Sequence, residues 1–130
     1  MIVADASAVI AAVLREPGSK AVRERMLDPR ETLHAPHLLD VEVAQVIRRF
    51  VARRELDEER GRQALDDFMG LPLHRYAHDL LLPRVWRLRN NLSAYDAVYV
   101  ALAEALGAKL LTRDARMAKA AGHSAMIELI

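Results

Sequence analysis

Apolar positions along this chain fall into short runs that alternate with longer segments of helical period. Ile2-Val3-Ala4 is a brief apolar run halted by Asp5, and Ser7 to Leu14 behind it is long and alanine-rich enough for a helix, so the chain opens as a βα unit. Pro17-Gly18-Ser19 ends that helix and offers Ser19 as the cap of the next, Lys20 to Leu27, which Asp28-Pro29 closes. Thr32 to Ala35 reads as a strand. After Pro36 a helix runs to about Arg54, with Leu38, Leu39, Val43, Val46, Ile47 and Phe50 on one side. Asp57-Glu58-Glu59 has the acidity of a helix start, and this helix carries Leu65, Phe68 and Met69 until Gly70 and Pro72 stop it.

Leu71 to Tyr76 follows as a strand. His78 to Arg89 is helical in pattern but contains Pro83, so the helix either begins near Leu82 or kinks there. Ser93 to Leu106 is a strong helix ended by Gly107, Lys109 to Thr112 a strand, Asp114 to Ala121 a short helix, and Ser124 to Leu129 the last strand. Connections too long for hairpins imply parallel strands covered on both faces. The expected fold is therefore α/β, a three-layer α/β/α sandwich with a central five-stranded parallel sheet, formed as one domain over residues 1–130. Ligands of such sheets bind beyond the carboxyl ends of the strands, where the strand order reverses. Acids that directly follow strands thus draw attention first.

Composition narrows the chemistry. The 130 residues contain no cysteine, which excludes disulfides, thiolate metal sites and thiol nucleophiles; a metal here must bind oxygen or imidazole. Met1-Ile2-Val3-Ala4-Asp5 has no basic leader, and no apolar run approaches the ~18 residues of a membrane span, so a cytoplasmic protein without membrane contact is expected. Nineteen Lys and Arg balance eighteen Asp and Glu. Composition alone does not announce a polyanion binder, although sixteen of the cations are Arg, the better phosphate fork.

Four carboxylates stand in unusual places. Asp5 directly follows the first strand, and Asp114 follows the fourth with one residue between. Glu42 lies at 100° per residue between Leu38 and Val46, inside the apolar arc of its helix, where an unpaired charge costs several kcal/mol. Asp96 begins a helix that is apolar almost all round. Each has a plainer role open to it. Asp5 and Asp114 could cap the helices behind them, Glu42 could pair with a buried Arg, and Ser93-Ala94-Tyr95-Asp96 has the spacing of a capping box. One convergent acidic site, however, accounts for all four positions at once. An oxygen-only cluster of this kind suits Mg²⁺ or Mn²⁺. The remaining 14 acids then face 19 cations, a basic surround for an acidic metal site, as a phosphodiester nuclease requires.

Val3-Ala4-Asp5-Ala6-Ser7-Ala8, the lone Glu42, the block Leu92-Ser93-Ala94-Tyr95-Asp96-Ala97-Val98-Tyr99-Val100-Ala101-Leu102-Ala103 and Leu110-Leu111-Thr112-Arg113-Asp114 resemble the PIN-domain ribonucleases, and within them the VapC-type toxins of toxin–antitoxin modules. The resemblance covers essentially the whole chain. It implies the strand order 3-2-1-4-5, a Mg²⁺ or Mn²⁺ site held by Asp5, Glu42, Asp96 and Asp114, and ordering roles for Ser7 and Thr112. No acid of the pattern is missing. It further implies hydrolysis of RNA to 5′-phosphate and 3′-hydroxyl ends, a homodimer, and a cognate antitoxin that inserts a basic side chain into the acidic pocket. The helices Ser7 to Leu14, Lys20 to Leu27 and Leu38 to Phe50 are expected to offer the antitoxin an apolar groove, and Arg15, Arg113 and Arg116 to grip RNA phosphates.

Other residues attract no chemistry. His34, His37, His74, His78 and His123 show no metal-ligand spacing and are expected in solvated or helix-end positions; Trp86 and Leu88 are assigned to the core. Arg89-Asn90-Asn91 reads as a helix end with a polar turn. Among rival classes, a phosphoryl-accepting receiver domain needs paired acids after its first strand, and Asp5 is single. A house-keeping RNA-processing PIN nuclease, and a non-catalytic α/β module whose acids merely cap helices, remain the alternatives.

Overall fold

A computed structural model describes residues 1–130. In chain order its elements are β1 (Ile2–Ala4), α1 (Ala6–Val13), α2 (Lys20–Met26), β2 (Leu33–Pro36), α3 (Leu38–Ala52), α4 (Glu58–Met69), β3 (Leu73–Tyr76), α5 (Leu82–Arg87), α6 (Ala94–Leu106), β4 (Lys109–Thr112), α7 (Ala115–Lys119) and β5 (Met126–Leu129). The sheet runs β3-β2-β1-β4-β5 with every pairing parallel, as the alternation of elements predicts. Right-handed crossovers then divide the helices. Those between β1 and β3 (α1 to α4) pack on one another on one face, and the return from β3 to β4 carries the packed pair α5 and α6 across the other.

Burial follows this layering. Ile2, Val3 and Ala4 of the central strand are fully buried, as are Leu110 and Leu111 of its neighbour. The middle of α6, Ala97 to Ala103, is buried without interruption, which explains why it is apolar all round. Gly107 ends α6 with φ 59°, a left-handed cap that a Cβ would strain. Pro83 sits in the first turn of α5, where its missing N–H costs nothing, so the helix begins at Leu82 and is not kinked.

Two core assignments from the sequence need correction. Leu88 is buried, but Trp86 is 67% exposed, with the Arg89 guanidinium 4.7 Å from its ring. Helix α5 has only six residues and buries the single stripe Leu81, Val85 and Leu88; Trp86 lies one residue past Val85, off that stripe. His34, conversely, is neither solvated nor at a helix end. It is buried in β2, its ring between the Thr32 hydroxyl at 2.7 Å and the Tyr76 hydroxyl at 2.8 Å and stacked on His74. Burial depresses its pKa and keeps it neutral. His78 does serve a helix start: its Nε2 accepts the Leu38 N–H at 2.9 Å.

Candidate active site

Strands β1 and β4 are neighbours in the sheet, and their onward connections diverge to opposite faces, so the crevice at their carboxyl ends is the switch point of the fold. Asp5 leaves β1 at that point and starts α1. Its carboxylate is 4% exposed. Oδ1 accepts the Ala8 N–H at 3.0 Å and the Ser7 hydroxyl at 2.7 Å, while Oδ2 accepts the Thr112 hydroxyl from β4 at 2.7 Å. The expected cap is therefore real, yet it uses one oxygen. Burial pushes the Asp5 carboxyl up, its three donors oppose that, and the nearby charge of Asp114 adds to the rise.

Ser7 and Thr112 order this corner from both sides. The Ser7 hydroxyl also accepts the Arg113 N–H at 2.9 Å, and the Thr112 hydroxyl accepts the Asp114 N–H at 2.9 Å. Each side chain thus ties the start of α1 to the turn that leaves β4. Asp114 caps α7 through the Arg116 N–H at 2.8 Å and pairs with the Arg116 guanidinium at 2.9 Å, which holds its carboxyl below the usual range.

Glu42 reaches the site from the second turn of α3, half-buried as its place in the apolar arc predicts. No buried Arg meets it. Its partner is Tyr99 of α6, whose hydroxyl donates a short hydrogen bond to Oε2. Burial raises the Glu42 carboxyl, the Tyr99 bond opposes this, and the charges of Asp5 and Asp96 raise it further. Tyr99 is 2% exposed, and burial beside this carboxylate drives its own ionisation far beyond the ordinary phenol range. Tyr99 escaped the sequence reading because it passed as one more core residue. The signal was present all the same: it lies one turn from Asp96 on the same face of a buried helix, and a buried phenol needs a partner.

Asp96 is half-buried in the first turn of α6. Only half of the expected capping box forms: the Ser93 hydroxyl accepts the Asp96 N–H at 3.1 Å, but the Asp96 carboxylate makes no return bond to Ser93. Its charge acts on Glu42 and on Arg116. Asp5, Glu42 and Asp96 have no Lys or Arg partner, and the carboxylates influence one another electrostatically. No three of them stand close enough together to hold a metal ion between them. An all-oxygen donor set with so few ligands suits a hard divalent cation that keeps several waters, not one needing a full protein cage.

The arginines expected to hold RNA are disposed differently from one another. Arg113 and Arg116 flank the acids but are engaged with Glu16 at 2.6 Å and with Asp114. Arg15 lies beyond the far end of α1, about 12 Å of helix from Asp5.

Four acids at the switch point of a parallel 3-2-1-4-5 sheet define a PIN-like nuclease architecture, and the profile of the PIN domain matches residues 2–123. The chain belongs to the PIN-domain family, among its VapC ribonucleases. It is 47% identical to the VapC ribonuclease Mb0985 of Mycobacterium bovis over 117 residues, which cover 90% of this chain and 88% of that one. It is 41% identical to ribonuclease VapC12 of Mycobacterium tuberculosis over 130 residues, covering 100% and 99%. Among solved structures, VapBC2 from Rickettsia felis, crystallised with a DNA fragment from its promoter, superposes with a TM-score of 0.73 over 99% of this chain and 98% of that one. At 16% identity, this last likeness concerns the fold.

Proposed function

We propose that this chain is the ribonuclease toxin of a toxin–antitoxin module, hydrolysing RNA phosphodiesters with Mg²⁺ or Mn²⁺ held by Asp5, Glu42, Asp96 and Asp114. The observation that carries the reading is the gathering of acids from β1, α3, α6 and the β4 turn, three of them without a salt-bridge partner, with Asp5 and Asp96 raising the Glu42 carboxyl and Asp114 raising that of Asp5. If bound by these acids, a divalent cation would supply the missing positive charge and Lewis acidity toward water and the phosphoryl oxygens. The protein's part is positional. Thr112, Ser7 and the Ala8 amide fix Asp5, and Tyr99 fixes one oxygen of Glu42 and leaves the other free. Asp114 is held at the edge of the site by the Arg116 guanidinium.

Restraint by a cognate antitoxin belongs to the same reading. A partly apolar hollow of about 400 Å³, with Leu27 59% exposed on its rim, is the surface offered to it; its third wall is α4 and not, as the sequence suggested, the helix Leu38 to Phe50. The reading also includes a homodimer and a cytoplasmic setting; no helix of the chain is long and apolar enough to cross a membrane. The test is cleavage of single-stranded RNA by the purified protein after chelation, with and without added Mg²⁺ or Mn²⁺. Activity should depend on the cation, leave 5′-phosphate ends, and vanish in Asp5→Asn and Asp96→Asn variants that remain folded by circular dichroism. Full cleavage in the presence of chelator would refute the reading.

A further inference from the structure

Between Asp79 and Asp96 the chain carries no acid but three arginines, Arg84, Arg87 and Arg89, and two neighbouring asparagines, Asn90 and Asn91. This stretch forms α5 and the turn that enters α6. Beside the buried stripe of Leu81, Val85 and Leu88 runs a second one, Leu82, Trp86 and Arg89, at the same helical spacing but exposed. The Arg89 guanidinium lies over the Trp86 ring, 4.7 Å from its centroid, and donates to the Trp86 carbonyl at 2.9 Å. Arg84 is taken by Glu104, whereas Arg87 and Arg89 pair with no carboxylate.

The turn after α5 sets this pair near the acids. The Leu88 carbonyl accepts the Asn91 and Leu92 N–H groups, each at 3.0 Å, so the chain doubles back directly into α6, whose first turn holds Asp96. By the reach of the intervening chain, the Arg89 and Asp96 Cα atoms are less than about 20 Å apart. On its other side the turn packs on the segment that follows α7: a Cβ at Gly122 would stand 2.6 Å from the Asn91 amide nitrogen, and the Gly122 carbonyl accepts Arg84 at 3.1 Å. Helix α7 is the one Asp114 caps. The turn thus lies between two helices whose starts carry site acids. Its chemistry indicates the occupant. A protein partner that covered Leu82 and Trp86 would have to neutralise two unpaired guanidinium groups as well. A single strand of RNA meets both needs, with a base on the indole and phosphates on the arginines, and the exposed Asn90 and Asn91 amides present donors and acceptors to base edges.

We propose that Trp86 is a base-stacking platform for the substrate RNA, with Arg87 and Arg89 on the adjoining phosphates, so that the strand runs from the acids across the turn between α5 and α6. The proposal rests on the ribonuclease reading and adds a substrate-positioning surface outside the acidic site. It also gives the exposed Trp86, which contributes little to the core, a task of its own.

Trp86 is the only tryptophan, so its emission reports on the platform directly. On rapid mixing of the Mg²⁺-loaded protein with an unstructured RNA, that emission should be quenched in the binding phase, ahead of product formation, and the ring should become less accessible to acrylamide. In steady-state cleavage Trp86→Leu should raise KM roughly five- to a hundredfold, the worth of one base stack, and raise it more than it lowers kcat. Trp86→Phe keeps a ring and should recover most of that loss. Arg89→Gln should weaken binding and reduce the slope of log affinity against log salt by about 0.7. All three side chains are exposed, so the variants should fold. RNA that is cut while Trp86 emission stays unchanged, or an unchanged KM in Trp86→Leu, overturns the platform and leaves the ribonuclease reading intact. So does a Trp86→Leu variant that loses only self-association or antitoxin binding, which would give the surface to a protein. A wild-type protein that cuts no RNA under any divalent cation refutes the underlying reading, and this proposal with it.

Discussion

The Thr112 hydroxyl is the most informative single group to remove. It is fully buried, donates to Asp5 Oδ2 at 2.7 Å and accepts the Asp114 N–H at 2.9 Å, so Thr112→Val keeps the shape and deletes both bonds. A hydrogen bond to a charged acceptor contributes about 1.5–3 kcal/mol. The Asp114 amide is only partly buried and can turn to water, so it adds little. A net loss of about 2–3 kcal/mol at neutral pH follows, roughly 10 °C in Tm for a chain of this size. The pH dependence is more diagnostic than the magnitude. Burial raises the Asp5 carboxyl above its ordinary value, so the fold favours the protonated form and loses stability as pH rises through the folded pKa. The three donors limit that loss. Without Thr112 the carboxyl rises further, the loss extends to higher pH, and the gap between variant and wild type widens from acid to neutral pH. Urea unfolding in chelator at a series of pH values measures this. An equal loss at all pH values would show that Thr112 contributes packing alone, and no loss at neutral pH would refute the role assigned to it at Asp5.

Other consequences can be checked on the same protein. Glu104 accepts the Arg84 guanidinium at 2.7 and 2.9 Å and the Ser124 N–H at 2.8 Å, which holds its carboxyl down to about 2. Its contribution is fully present above the ordinary carboxylate pKa and is lost as pH falls from there through the folded value of about 2; Glu104→Gln should cost about 1–2 kcal/mol at neutral pH and flatten the acid limb of the stability curve. At Gly61 a Cβ would stand 2.7 Å from the Val51 Cγ2 methyl. Gly61→Ala should therefore destabilise by about 1 kcal/mol in urea, since the overpacking of α3 against α4 outweighs the gain in helix propensity. The single Trp86 should show water-like emission in the native state and be quenched freely by acrylamide, and Trp86→Ala should change stability by no more than about 0.5 kcal/mol.

The alternation of short apolar runs with helical segments carried the topology, because parallel pairing, right-handed crossovers and buried strands follow from it with few alternatives. Asp5 and Asp114 were legible for the same reason: an acid at the end of a strand is placed by the sheet itself. Glu42 was legible through its position in an apolar arc, but its partner was not. Whether such an acid meets an Arg, a cation or a hydroxyl depends on which helix crosses α3 at that level, and Tyr99 is 57 residues away. The arginines were least legible. Long side chains choose partners in space, so Arg113 and Arg116 are taken by Glu16 and Asp114 while Arg49 is left free. Trp86 was misassigned because a six-residue helix buries only a narrow stripe, and residue type alone does not reveal where that stripe falls.

A Mn²⁺ titration followed by electron paramagnetic resonance tests most directly, and without any substrate, whether the unbalanced carboxylates share a divalent cation. The wild-type protein should bind Mn²⁺ competitively with Mg²⁺; Asp5→Asn and Asp96→Asn should each lose most of that affinity, Glu42→Gln should weaken it, and Arg116→Ala, which releases Asp114, should leave it intact or tighten it. Undiminished Mn²⁺ binding in both Asp5→Asn and Asp96→Asn would contradict the central claim.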